Sequence, residues 1–152
     1  MKLAQGIVCG SWALALSFDW ARQIIETFEI SAVPKSPTWL VGAANIEGNI
    51  LPVIDLAVYF SPSTASLQVS PHQRLLVGGL QNTGADDAVA FIFNGLPQQL
   101  NYEPQTLTYA GALPANLREV CDAVATDTTG RNFLEINVDK LMAVLADELS
   151  LL

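Results

Sequence analysis

The sequence predicts a mainly β protein made of two similar small halves, as small barrels or sandwiches, with a few short helices. Three observations carry this. Apolar runs such as Trp12 to Leu16 and Ala88 to Phe93 are strand-sized. Trp12, Leu14, Leu16 and Phe18 alternate with Ala13, Ala15 and Ser17, the period of a half-buried strand with bulky residues on one face. Gly48-Asn49-Ile50-Leu51-Pro52-Val53-Ile54-Asp55-Leu56 echoes Gly130-Arg131-Asn132-Phe133-Leu134-Glu135-Ile136-Asn137-Val138. Both read as turn glycine, strand, polar cap and apolar helix start.

The elements follow in order. Leu3 to Cys9 is the hairpin partner of the Trp12 strand, with Gly10-Ser11 as the turn. Asp19 reads as an N-cap, and Trp20, Ile24 and Phe28 recur at helical spacing, so a short first helix is expected there. Lys35-Ser36-Pro37 is an exposed loop. Trp39 to Ile46 and Ile50 to Ile54 form a hairpin around Glu47-Gly48-Asn49, and Pro52 marks an edge or a bulge. Asp55 caps a helical turn through Phe60.

Ser61 to Pro71 holds four Ser, one Thr and two Pro, which reads as a linker between halves 1–60 and 72–152, with strand exchange between them allowed. Beyond it, Arg74 to Leu80 and Ala88 to Phe93 are strands around Asn82-Thr83-Gly84, and Gln98 to Tyr102 is a further one. Leu113 to Leu117 suits a short helix. Val120 to Thr126 and Asn132 to Ile136 form a hairpin around Asp127-Thr128-Thr129-Gly130. Asn137 caps a last helix whose Leu141, Val144, Leu145 and Leu149 share a face.

Composition excludes several functions. The chain has 152 residues, 51% hydrophobic and 14% charged, which suits one folded domain and not a disordered chain. The net charge is −8 and the 7 Lys and Arg residues stand singly, which argues against nucleic acid and against an anionic membrane surface. Gly10 and Ser11 interrupt the apolar N-terminal region, and one lysine precedes it, a poor signal peptide. Cys9 and Cys121 read as buried reduced side chains, and the expected compartment is the cytoplasm.

Catalytic templates fail. His72, the one histidine, reads as a solvated loop residue. Gly78-Gly79 reads as a bend or a close-packing point, not a phosphate cradle. Two distant cysteines and one histidine make no zinc site, and neither Asp86-Asp87 nor Asp147-Glu148 sits in a calcium loop. No cofactor and no metal is expected, and no enzyme. The chemistry that remains is recognition through a surface or a groove.

The segment Val33-Pro34, Pro37 and Trp39 through Leu56 resembles the signature of CheW-like domains, in which N-(Leu/Val)-R-G precedes a strand ending P-(Val/Ile)-(Ile/Val)-D-L. The likeness is strong over 12–60 and looser over 74–149. Trp39-Leu40 and Gly48-Asn49-Ile50-Leu51 look most like PilI-type members of pilus chemosensory systems. The resemblance implies two five-stranded β-barrels packed side by side. It also implies a non-catalytic adaptor that couples a CheA-type histidine kinase, through that kinase's similar regulatory domain, to the cytoplasmic tip of a chemoreceptor. No membrane insertion is implied, and the location would be cytoplasmic, at membrane-attached arrays.

By the same resemblance the partner-binding positions are Gln23, Gly42, Asn45, Glu47 and Gly48. Gly42 and Gly48 are backbone requirements first, a close strand approach and a turn with positive φ. Asn45 bridges the turn through its amide. Glu47 stands where the family carries Arg, and Gln23 where it commonly carries Glu, so the usual acid–base pair cannot form. Glu47 reads either as a solvated turn residue or as a changed contact that alters receptor binding.

Overall fold

The computed structural model describes residues 1–61, 73–79, 88–108 and 112–150. His72, Leu80, the Asn82-Thr83-Gly84 turn, the Asp86-Asp87 pair and all of the 61–71 linker beyond Ser61 lie outside the described residues.

The first hairpin forms as the alternation predicts. β1 (Lys2–Cys9) pairs antiparallel with β2 (Trp12–Ser17), with Ile7 opposite Leu14, and Gly10 turns at φ 60°. The expectation of a half-buried strand needs correction. Leu14 and Leu16 enter one core, and Ala15 on the other face packs with Ala4, Leu100 and Phe133 in another. The small residues of this alternation mark a second buried face with little room, not a solvated one.

The expected first helix is also corrected. Residues Ala21–Ile25 form a strand, β3, and not a helix. Asp19 caps nothing, and its own N–H donates to Ser17 Oγ at 3.2 Å in a tight turn. An isolated helix of nine residues is marginal in water. Here Gln23, Ile24 and Ile25 find sheet partners in Val77, Leu76 and Leu75 of β7 (Gln73–Gly78). Trp20 is buried and stacks on Phe91, ring centroids 5.1 Å apart.

β4 (Ile30–Ser31) lies along β5 (Leu40–Ile46), which turns back as β6 (Asn49–Ile54). Pro52 sits on the edge stretch of β6, just before Val53 and Ile54 pair parallel with β8 (Val89–Tyr102). Asp55 then caps α1 (Leu56–Phe60), accepting from the Ala57 and Val58 N–H groups at 2.9 and 3.3 Å. α2 (Ala115–Val120) leads into the hairpin of β9 (Cys121–Thr126) and β10 (Asn132–Ile136). Asn137 caps α3 (Val138–Leu149), whose Leu141 and Leu145 are buried with Val144 and Leu149 packed beside them.

The two strands expected at 88–93 and 98–102 are one. Gly95, at φ 82°, bends β8 without ending it, and the pairing with β1 slips between Val8–Asn94 and Gly6–Gln98. The residues between bulge outward, leaving Leu96 exposed.

The sheet order is β4-β5-β6-β8-β1-β2-β10-β9, with β7 between β3 and β8, and it does not close into a single barrel. The mainly β fold class with a few short helices holds. Early β8 gathers β3 to β7, and late β8 gathers β1, β2, β10 and β9. β1 and β2 pair with strands that follow the 61–71 segment, and β7 pairs with β3, which precedes it. One core, with Val53, Leu75, Val77 and Ile92, fills the first set, and Ala15, Leu100 and Phe133 fill the second. A larger cluster, with Leu14, Ile54, Phe60, Phe91 and Leu141, lies between them. Cys9 and Cys121 are free and buried, and burial pushes both thiols up, Cys121 to about 11.

Candidate functional site

The β5–β6 turn and β3 build one small site. Glu47 and Gly48 both have positive φ, 54° and 87°, as a two-residue turn that matches strand twist demands. Gly48 adopts this without strain, and a Cβ there would meet nothing. Glu47 does not, since left-handed backbone costs a non-glycine residue on the order of 1 kcal/mol or more. The Asn45 side chain holds the turn, with Oδ1 accepting the Gly48 N–H at 3.0 Å. Gly42 answers to crowding: a Cβ would run into the Ser31 carbonyl and Ile30 Cγ2 where β4 crosses close.

Gln23, placed on a strand instead of a helix, lies beside this turn. Its Nε2 donates to Glu47 Oε1 at 3.2 Å across 24 residues of sequence. The two positions therefore meet, and the expected lack of an ion pair is matched by a neutral–anionic hydrogen bond. Glutamine avoids the like-charge contact that Glu at both places would create. The four ion pairs formed by the described residues leave Glu47 out.

A groove of about 280 Å³ opens next to the pair. Its floor is Leu51, Val77 and Gly78, and its rim is Arg22, Gln23 and Glu47. Gly78 is required there, since a Cβ would strike the Trp20 ring, which supports the close-packing reading of Gly78-Gly79. Arg22 is exposed, and its Nε donates to the Gly79 carbonyl at 3.2 Å. Sequence reasoning missed Arg22 because a helix over 20–28 would aim it away from Glu47. The signal was present in Ile24-Ile25, two consecutive β-branched strand formers.

Of the five predicted positions Gln23 and Glu47 line the groove, Asn45 and Gly48 belong to its turn without lining it, and Gly42 lies outside both. Among the described residues no group of three or more His, Cys, Asp or Glu is placed to hold a metal ion, and no helix is long and apolar enough to cross a membrane.

A model of the CheW-like domain matches residues 6–146. The chain belongs to the CheW-like domain family. Its fold is similar to that of the scaffolding protein TtCheW from Thermoanaerobacter tengcongensis, with a TM-score of 0.71 at 15% identity over 89% of this chain and 88% of that one. No curated protein matches in sequence. At that identity the likeness concerns the fold, so the CheW-like architecture is established here without any partner being carried across.

Proposed function

We propose that this CheW-like chain is a non-catalytic adaptor of chemotaxis-type signalling. It couples a CheA-type histidine kinase, through the kinase's CheW-like regulatory domain, to the cytoplasmic tip of a chemoreceptor. The observation that carries this reading is the family match over residues 6–146, which takes in both strand sets. The meeting of Gln23 and Glu47 beside an apolar-floored groove supports it, since a recognition surface needs apolar area ringed by polar groups.

In this reading Gln23, Asn45, Glu47 and Gly48 shape the partner-binding turn, and Gly42 keeps β5 close to β4. The two halves, 1–60 and 72–152 joined through 61–71, act as one domain with strands exchanged between them. The compartment is the cytoplasm at membrane-attached arrays. The system is a flagellar or a type IV pilus one, and the Trp39-Leu40 and Gly48 to Leu51 likeness to PilI-type members points to the pilus and twitching motility as one of the two.

The test is a calorimetric titration with the CheW-like regulatory domain of each CheA-type kinase from the same genome. Saturable 1:1 binding is expected. A folded sample that binds none of them overturns the adaptor reading. One observation favours a second reading, a divergent CheW-like scaffold or decoy that binds a kinase or another CheW-like module without standard receptor coupling: Glu47 reverses the charge of the family's arginine. Kinase binding with no binding of any receptor tip would select it.

A further inference from the structure

A second cleft, of about 660 Å³, opens where the β2–β3 link meets the starts of β1 and α3 and the ends of β8 and β10. It shares no lining residue with the groove beside Glu47. Its size falls within the roughly 300–1,000 Å³ of small-molecule sites. The wall joins aromatic rings to carboxylates: Phe18, Trp20 and Tyr102 supply the rings, and Asp19, Asp122, Glu135 and Asp139 the acids, with Lys2 as their basic neighbour. Met1 also lines the cleft, and its ammonium pairs with Glu103 at 3.4 Å.

These acids are not equivalent. Glu135 is buried, with Oε1 accepting from Lys2 Nζ at 3.1 Å and Oε2 from the Tyr102 hydroxyl at 2.7 Å. Asp122 turns its oxygens to Asn137 Nδ2 and Lys140 Nζ. The Asp19 and Asp139 side chains are exposed, and no described residue donates to their carboxylates or pairs with them. Trp20 adds a second signal. It is 4% exposed, and its Nε1–H meets no acceptor among the described residues. A buried donor left alone marks a place where an acceptor is missing. Carboxylates repel anions, and aromatic walls add apolar surface that suits an organic cation better than a hydrated metal ion.

We propose that this cleft binds a small organic amine, its ammonium drawn to Asp19 and Asp139, its apolar body against Phe18, and an oxygen acceptor toward the Trp20 indole N–H. The inference goes beyond the adaptor reading and does not depend on it. Bound there, the amine joins the β2–β3 link, which leads from one strand set to the other, to the start of α3.

The experiment titrates the full chain with tyramine, which carries an ammonium, a ring and a hydroxyl oxygen. Tyrosol replaces the ammonium by a hydroxyl, phloretate replaces it by a carboxylate, and phenethylamine lacks the ring oxygen. Calorimetry gives the affinity. Nitrogen–proton correlation spectra follow the indole signals of the three tryptophans, with Trp20→Phe identifying the signal of Trp20. The expected result is saturable tyramine binding that weakens as salt rises and moves the Trp20 indole signal. Tyrosol and phloretate bind at least about tenfold less well, and phenethylamine several-fold less well. The double variant Asp19→Asn plus Asp139→Asn, in which neither change removes a bond made within the chain, binds tyramine several-fold less well with an unchanged melting curve. No saturable tyramine binding up to about 10 mM overturns the inference. So does equal binding of tyrosol or phloretate, an unmoved Trp20 signal at saturation, or full tyramine affinity in the double variant.

Discussion

The unit β5–β6–α1 and the unit β9–β10–α3 share one plan and differ in what they leave unmet. In each, a hairpin glycine at nearly the same φ, 87° for Gly48 and 88° for Gly130, starts the second strand. In each, that strand makes a two-residue parallel pairing at or next to its end, Val53–Ile54 with β8 and Leu134–Glu135 with β2. A side-chain cap follows at once, Asp55 or Asn137. The helices then diverge: α1 is buried at all five residues, whereas α3 runs 12 residues along the surface.

The turns diverge more. Asp127 accepts from the Thr129 N–H, the Thr129 hydroxyl, the Arg131 N–H and the Gln98 amide, at 2.7 to 2.9 Å. Those donors hold its carboxyl well below the usual carboxylate range. Glu47 has one donor. A carboxylate saturated by its own chain closes a loop, and one left with a single bond is free to face a partner.

The comparison can be broken or sharpened, largest effect first. Gly42→Ala should destabilise by about 2–3 kcal/mol in urea unfolding, because β4 blocks the added methyl group. A neutral result would mean that β4 does not clamp the first unit. Asp55→Ala should cost about 2 kcal/mol and Asn137→Ala about 1 kcal/mol, since losing a cap is worse where water cannot replace it. Equal losses would show that burial does not separate the caps. Gly48→Ala and Gly130→Ala should each cost about 1 kcal/mol, because both need positive φ in open space.

The smallest effect is one of sign with pH. Burial holds the Asp55 carboxyl above its ordinary range, so its contribution is fully present below that range and is lost as pH rises from about 4. Asp127, held low, contributes above its ordinary range and loses that contribution as pH falls below about 4. Urea midpoints across acid and neutral pH should show Asp55→Asn gaining on wild type as pH rises. Asp127→Asn should gain on it as pH falls. Parallel trends in the two variants would refute the contrast.

Both units were legible in the sequence, since turn glycines, strands and caps are local signals and the echo repeats them. The Gln23–Glu47 contact was half legible. The family likeness brought the two positions together, but the spacing of Trp20, Ile24 and Phe28 imitated a helix, and only the partner β7 decides for a strand. The continuity of β8 was hidden for a similar reason. Asn94-Gly95 is a local stop signal, and long-range pairing on both sides overrides it. The second buried face of β2 was missed because alanine and serine look the same whether they meet solvent or a crowded neighbour.

β8 has 14 residues, and its two ends belong to different strand sets. It is a party wall: neither room can be emptied while the other stands. Its amides should exchange with solvent only when the entire chain opens, and heat should melt both sides in one step at one temperature.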